Sequence, residues 1–162
     1  MQLTQIGVIR SPFKEATGMP IQPALAKDIE GAVDVFPQYA PALKDLDGFE
    51  RIWLIYWFDK AASFRPTVVP YLDTAERGLF ATRAPARPNP IGISSVRLLS
   101  IDDAAIRVAE LDVLDGTPLL DIKPYVPRFD SYPEACSGWV DAVRIDHNGN
   151  ADGRFFRNKG DT

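Results

Sequence analysis

The stretch Ala86–Gly92, ARPNPIG, sets two strongly polar side chains, Arg87 and Asn89, into a loop stiffened by Pro88 and Pro90. Each proline fixes its own φ and pushes the residue before it toward extended backbone, so Arg87 and Asn89 can meet a ligand with little conformational entropy left to lose. An arginine clamps a carboxylate or phosphate with two bonds. An asparagine both donates and accepts, as the edge of an adenine or a carboxamide requires. Gly92 permits close backbone approach. A rigid turn joining two strands would account for the same residues. A second stretch, Asp115–Pro127 (DGTPLLDIKPYVP), places Asp121 and Lys123 two apart, on one side of a strand. They form either an exposed ion pair or a carboxylate and an ammonium that face a charged ligand. In a third, Gly7–Phe13 (GVIRSPF), Arg10 ends a strand and Pro12 opens a loop.

Familiar sites are absent from the sequence. The nearest two glycines, Gly149 and Gly153, are too far apart for a dinucleotide fingerprint, so no doubly wound nucleotide fold is expected. Gly92-Ile93-Ser94-Ser95-Val96 begins like a nucleophile elbow but lacks the closing glycine. With one cysteine and one histidine, a zinc site and a thiol–imidazole pair are both disfavoured. Cys136 is expected to be buried and His147 to sit in an exposed turn. Asp146, Asn148, Asn150 and Asp152 mimic a calcium loop, but Ala151 and Arg157 stand where glycine and glutamate belong, which leaves a polar turn and no metal.

The elements that must position these residues are short. Fourteen prolines and eleven glycines in 162 residues disfavour long helices. Strands are expected over Leu3–Arg10, Ala32–Phe36, Arg51–Phe58, Gly78–Thr82, Ile91–Ile101, Pro118–Val126 and Trp139–Ile145, with a short helix within Tyr39–Leu46. Ile52–Phe58 is the longest apolar run and is expected to be a buried strand, far short of a membrane span. Ala105–Leu114 alternates but changes phase, which a bulge near Ala109–Glu110 would reconcile. The fold class is therefore mainly β, a single-domain barrel-like fold with few short helices over 1–145, followed by a turn-rich polar tail over 146–162 that frays from Asn158. The start lacks a signal-peptide layout, and a single cysteine suits a reducing cytoplasm. Net charge is −4, yet Arg51–Arg97 holds seven basic and three acidic residues. That local +4 suits an anionic partner on an otherwise acidic chain, or arginines scattered over a sheet surface.

Together the segments resemble the TsaA-like family of tRNA methyltransferases, also called TrmO. The family's order is an IGVIRSP-like strand, FRPT, FATR-x-x-x-RPNPIG and DGTP-x-x-DIKPY. This chain has GVIRSPF, Phe64–Thr67 (FRPT), Phe80–Gly92 (FATRAPARPNPIG) and Asp115–Tyr125 (DGTPLLDIKPY). Ala84 stands where many relatives have serine, and many bacterial members carry a further C-terminal domain. The resemblance implies a non-Rossmann β-barrel methyltransferase that uses S-adenosylmethionine, forms a homodimer with the cofactor near the interface, and methylates the exocyclic amine nitrogen of threonylcarbamoyl-adenosine at position 37, beside the anticodon. The partner is then the tRNA anticodon stem-loop. On the family's motifs, Arg10, Phe13, Arg87, Asn89, Ile91 and Gly92 are expected around the cofactor. Arg83, Lys123 and Tyr125 are expected on the substrate. Asp121 is the first candidate base, Asp115 the second, with Lys123 beside them. Two alternatives stay open: a non-catalytic β-barrel RNA-binding module, in which Phe13, Phe64 and Tyr125 would stack bases, and a methyltransferase of this fold with another acceptor.

Overall fold

The computed structural model describes residues 2–143 and 149–156. Among them are the strands β1 (Gly7–Arg10), β2 (Glu30–Val35), β3 (Arg51–Trp57), β4 (Thr67–Val68), β5 (Arg77–Gly78), β6 (Ile91–Asp102), β7 (Ala105–Ala109) and β8 (Pro118–Pro124). Six of them close an antiparallel barrel in the order β1-β2-β7-β6-β3-β8, and β4 pairs with β5 in a separate ribbon. One α-helical turn, α1 (Pro127–Asp130), and several 3-10 turns complete the chain. This is the mainly β, barrel-like class expected from the proline and glycine spacing. No helix among the described residues is long and apolar enough to cross a membrane.

The barrel interior follows the period of two. Ile9, Val33, Val35, Ile52, Leu54, Tyr56, Val96, Ile106, Val108 and Leu119 are buried there. β3 is apolar on both sides, because Trp53, Ile55 and Trp57 alternate outward and stay only partly covered. The run Ile52–Phe58 is therefore buried on one face and not on both. At the phase change in Ala105–Leu114, the expected bulge takes the form of a strand end. β7 stops at Ala109, and Glu110 takes φ +64°. Arg51 Nη2 and Arg97 Nε grip its carboxylate at 2.6 and 3.5 Å. The turn sends Leu111 and Val113 into the core along a separate loop.

Other boundaries shift for local reasons. β1 begins only at Gly7. The strand expected over Gly78–Thr82 is instead a 3-10 turn, Leu79–Ala81, after the two residues of β5. The helix expected within Tyr39–Leu46 is split into 3-10 turns, Pro37–Leu43 and Leu46–Gly48, by the prolines and by Asp45 at φ +64°. Trp139–Ile145 was expected as a strand. Gly138–Ala142 is a 3-10 turn, and Arg144 and Ile145 lie outside the described residues, as do Asp146–Asn148, His147 among them, and the end from Arg157. Residues 149–156 pack on the same body as the barrel: Asn150 bridges to Pro20, Phe156 to Ala61, and Phe155 is buried with Val68, Leu79 and Ala84.

Candidate functional site

An open cleft of about 740 Å³ lies at one end of the barrel. The inner side is formed by Tyr56, by Phe58 and by Ile91–Ile93 at the start of β6. Thr82, Arg83 and Arg87 come from the proline-rich loop, Met19 and Gln22 from the β1–β2 connection, and Trp139 from the far side. The outer wall uses Phe155 and Phe156 from residues 149–156. Trp139 is held there by its indole N–H, which donates to the Ala81 carbonyl at 2.8 Å, and by Arg77 stacked on its ring.

The cleft has a polar floor on an otherwise apolar barrel. Ser94 points into the core from β6 and is 1% exposed; Tyr56, facing it from β3, is 3% exposed. Ser94 Oγ donates to Asp112 Oδ1 at 2.6 Å, which uses its only proton, so the Tyr56 hydroxyl 3.0 Å away must be the donor to Ser94. The order of donation is thus Tyr56 to Ser94 to Asp112. Gly92 makes this possible: a Cβ there would come within 2.2 Å of the Tyr56 ring. Asp112 rides on the loop after Glu110, pinned by buried Leu111 and Val113 on either side. Burial pushes its carboxyl up to about 6, against the Ser94 hydrogen bond and the nearby Arg83 guanidinium. Burial also holds the Tyr56 phenol neutral, well above its ordinary range.

The motif residues separate into three groups. Arg83, Arg87, Ile91 and Gly92 line the cleft. Arg83 Nη1 donates to Gln22 Oε1 at 2.8 Å. The proline loop makes two tight turns, Arg87 N–H to the Pro85 carbonyl at 2.7 Å and Ile91 N–H to the Asn89 carbonyl at 2.8 Å. Arg87 folds back over it: Nη1 donates to the carbonyls of Thr82 (3.0 Å), Leu79 (3.4 Å) and Ala84 (3.5 Å), and the guanidinium stacks on Phe80. At least half of its fork therefore braces the 3-10 turn. Asn89 is exposed, between two residues that line the cleft but not itself part of the lining.

A second group lies under the other side of the loop that carries Asp112. Asp115 accepts from Lys14 Nζ at 2.5 Å and from the Ser11 amide at 3.1 Å, contacts that hold its carboxyl below the usual range. It ties this loop to the loop after β1. Phe13 packs with Ala16, Met19 and Leu114, and Arg10 pairs with Asp34 at 2.8 Å on the surface. The third group stands on the outer face of the sheet. Asp121 is opposite Ile55 and Lys123 opposite Trp53, so both side chains point away from the core and pair with each other at 2.8 Å. Tyr125 packs on Trp53, ring centres 5.4 Å apart. None of the three lines the cleft. Phe64, the remaining candidate stacking ring, is exposed and also outside the cleft lining. Cys136, expected to be buried, is exposed, because the connection from α1 to the Gly138–Ala142 turn is surface chain.

Sequence reasoning missed Asp112 and Ser94. Two signals were present: an acid between two apolar residues that both belong in the core, and a serine at an inward position of β6 between Gly92 and Val96.

The description "tRNA-methyltransferase O N-terminal domain" belongs to the family model that matches residues 8–131. A probable S-adenosyl-L-methionine-binding protein of Pyrococcus abyssi is 52% identical over 152 residues, 93% of this chain and 83% of that one. The tRNA (adenine(37)-N6)-methyltransferase of Escherichia coli is 40% identical over 152 residues, 88% of this chain and 65% of that one. A solved structure titled "Crystal structure of TrmO" superposes with a TM-score of 0.74 at 39% identity, covering 86% of this chain and 64% of that chain. The chain thus spans less than two thirds of the Escherichia coli protein and of that solved chain.

The raised carboxyl has a stability consequence. Its folded value of about 6 exceeds the ordinary 3.8, so the folded chain keeps a proton that the unfolded chain releases. Stability is therefore lost as pH rises through this window, and the loss is complete above it. Asp112→Asn removes the cost of a buried charge and is expected to stabilise the chain by about 1–3 kcal/mol at pH 8, with the gain fading below about pH 4. Urea unfolding at both pH values checks this; a difference independent of pH would contradict it.

Proposed function

The chain belongs to the tRNA-methyltransferase O family, and from that premise we propose that it transfers a methyl group from S-adenosylmethionine to the exocyclic amine nitrogen of threonylcarbamoyl-adenosine at tRNA position 37. The observation that carries this reading is the cleft, which joins aromatic walls to one half-buried carboxylate and one arginine that stays exposed. Its volume is in the range that accommodates a nucleoside-sized ligand. Tyr71, Trp139 and Phe156 offer flat apolar surface to an adenine, and Asp112 offers the negative charge that suits a sulfonium or ammonium. When bound, the cofactor supplies an already activated methyl group, which leaves the chain to align, to exclude water and to handle a proton.

In this reading Arg87, Ile91 and Gly92 shape the cofactor side of the cleft, with Asn89 beside them at its edge. Arg87 does so as a brace that fixes the loop, and Gly92 by making room for Tyr56. Arg83 is the cation proposed for the threonyl carboxylate, because its guanidinium is exposed in the cleft and, among the described residues, its side-chain hydrogen bond goes to the neutral Gln22. Phe13 and Asp115 support the loop that carries Asp112, and Arg10 stands nearby on β1, paired with Asp34.

The outer face of β3, β6 and β8 is proposed as a homodimer interface. Trp53, Ile55 and Trp57 lie beside Ile91 and Ile93, which are 38% and 49% exposed, and Tyr125 extends the patch. A contiguous apolar surface of this kind is rarely left to water. Ile91 and Ile93 also line the cleft, so a partner copy seated there would border the site. Of the basic residues in Arg51–Arg97, the exposed Lys60 and Arg65 are proposed to meet the anticodon stem-loop phosphates, and a cytoplasmic location is proposed with that substrate.

Transfer of labelled methyl into tRNA from cells that lack the activity, followed by nucleoside digestion and mass spectrometry, tests the reaction. Label on threonylcarbamoyl-adenosine is expected. Label on another nucleoside would move the acceptor, and none on any nucleoside from folded, cofactor-binding protein would refute tRNA methylation. Sedimentation at assay concentrations should give twice the chain mass; a monomer with full activity would rule out the interface.

A further inference from the structure

The acceptor nitrogen in the proposed reaction is conjugated to both a purine and a carbamoyl group. Its lone pair is delocalised, so it attacks only as its proton leaves, and a base must stand in the cleft. Asp121 and Asp115 both stand outside the cleft of their own chain. Asp121 is paired with Lys123 on the outer face, and Asp115 is clamped by Lys14 and Ser11 beneath the loop. Among the described residues that line the cleft, the titratable side chains are Tyr56, Tyr71, Arg83, Arg87 and Asp112. The arginines carry no accessible lone pair, and both phenols are raised, Tyr71 to about 12 and Tyr56 further. Within the chain's own cleft one carboxylate remains, Asp112.

Resting on the functional reading above, we propose that Asp112 is the general base that takes the amine proton of the acceptor, with Ser94 and Tyr56 as its positioning residues. The division of labour is visible in the two carboxylate oxygens. Oδ1 accepts from Ser94 at 2.6 Å, and Oδ2 accepts from no other residue among those described. The N–H proton passes to Oδ2 while the nitrogen lone pair forms the new N–C bond. The pair from the broken C–S bond stays on the sulfur, which leaves as a neutral thioether. The proton then escapes through the open cleft to water. Oδ1 remains an acceptor throughout, so the Tyr56–Ser94–Asp112 order of donation never has to reverse, and the base needs no reorganisation during the step.

The groups that face Asp112 tune it in opposite senses. Burial raises its carboxyl to about 6, while Ser94 and Arg83 favour the ionised form. Asp59 and Lys60 lie across a small void on its other side. A carboxylate poised there is ionised at neutral pH yet a stronger base than a solvated aspartate.

Single-turnover transfer to tRNA bearing threonylcarbamoyl-adenosine, at saturating cofactor and across pH, tests the assignment. The wild-type rate should fall on the acid side with a midpoint near 6. Asp112→Asn should lose about 10²–10⁴-fold in rate. Ser94→Ala should lower the rate less than Asp112→Asn does and move its acid limb to higher pH, because the bond that orients the carboxylate and favours its ionised form is gone. Without cofactor, ¹³C spectra of labelled aspartate should show one carboxyl titrating near 6, absent in Asp112→Asn and shifted upward in Ser94→Ala. A rate for Asp112→Asn within about tenfold of wild type would overturn the proposal. So would weakened cofactor binding with an unchanged rate at saturation, which would make Asp112 a binding group. Should Asp112→Asn fail to fold, an unmoved acid limb and an unmoved resonance in Ser94→Ala would overturn it as well. A wild-type chain that transfers no methyl would sink the functional reading and this inference together; the other outcomes strike the inference alone.

Discussion

A tyrosine ring fits inside this barrel only because the residue facing it on the next strand has no side chain. Gly92 pairs with Tyr56 across β3 and β6, and the ring occupies the space a Cβ would need. The phenol is then buried where water cannot satisfy it, and leaving it unpaired would cost about 1–3 kcal/mol. Ser94 meets that need two residues further along β6, and Asp112 in turn meets the need of Ser94. A single glycine thus permits a buried polar chain that ends on a carboxylate at the cleft.

The same constraint explains why the loop before Gly92 is stiff. Buried Ala84 and Ala86, two prolines and the back-folded Arg87 leave it little freedom, and the Pro90 carbonyl accepts from the Phe58 amide at 2.7 Å. β3 and the loop are therefore locked together immediately beyond Tyr56. On the opposite side, Glu110 between Arg51 and Arg97, and Asp115 between Lys14 and Ser11, hold the two ends of the segment that carries Asp112. The floor of the cleft is fixed by ion pairs outside it, which leaves the groups inside it unspent.

The barrel strands were legible in the sequence where side-chain alternation repeats over several residues, as in β2, β3, β6 and β8. Short segments were not. Leu79–Ala81 has the composition of a strand, yet the turn bonded through the Thr82 amide closes it. Trp139 suggested a strand and instead serves as a wall, because its indole finds a carbonyl 58 residues away in sequence. The four motifs pointed correctly to the family, but which of their residues share the cleft was not legible in them. Asp121 and Lys123 lie on the outer face by strand register, which a one-residue slip would reverse and which no local pattern specifies. Asp112 was hidden among apolar neighbours, and the contribution of Phe155 rests on contacts with residues far away in the chain.

The central claim is that the cofactor occupies the cleft beside Trp139 and above Asp112. The chain has three tryptophans, and the fold sorts them: Trp139 lines the cleft, whereas Trp53 and Trp57 stand on the outer face of β3. Titration of fluorotryptophan-labelled protein with S-adenosylmethionine, followed by ¹⁹F NMR and assigned with Trp→Phe variants, reads the three positions separately. A saturable shift of the Trp139 resonance, with Trp53 unmoved, is the expected result. A shift at Trp53 with Trp139 unmoved would place the cofactor on the outer face and contradict the assignment of the site.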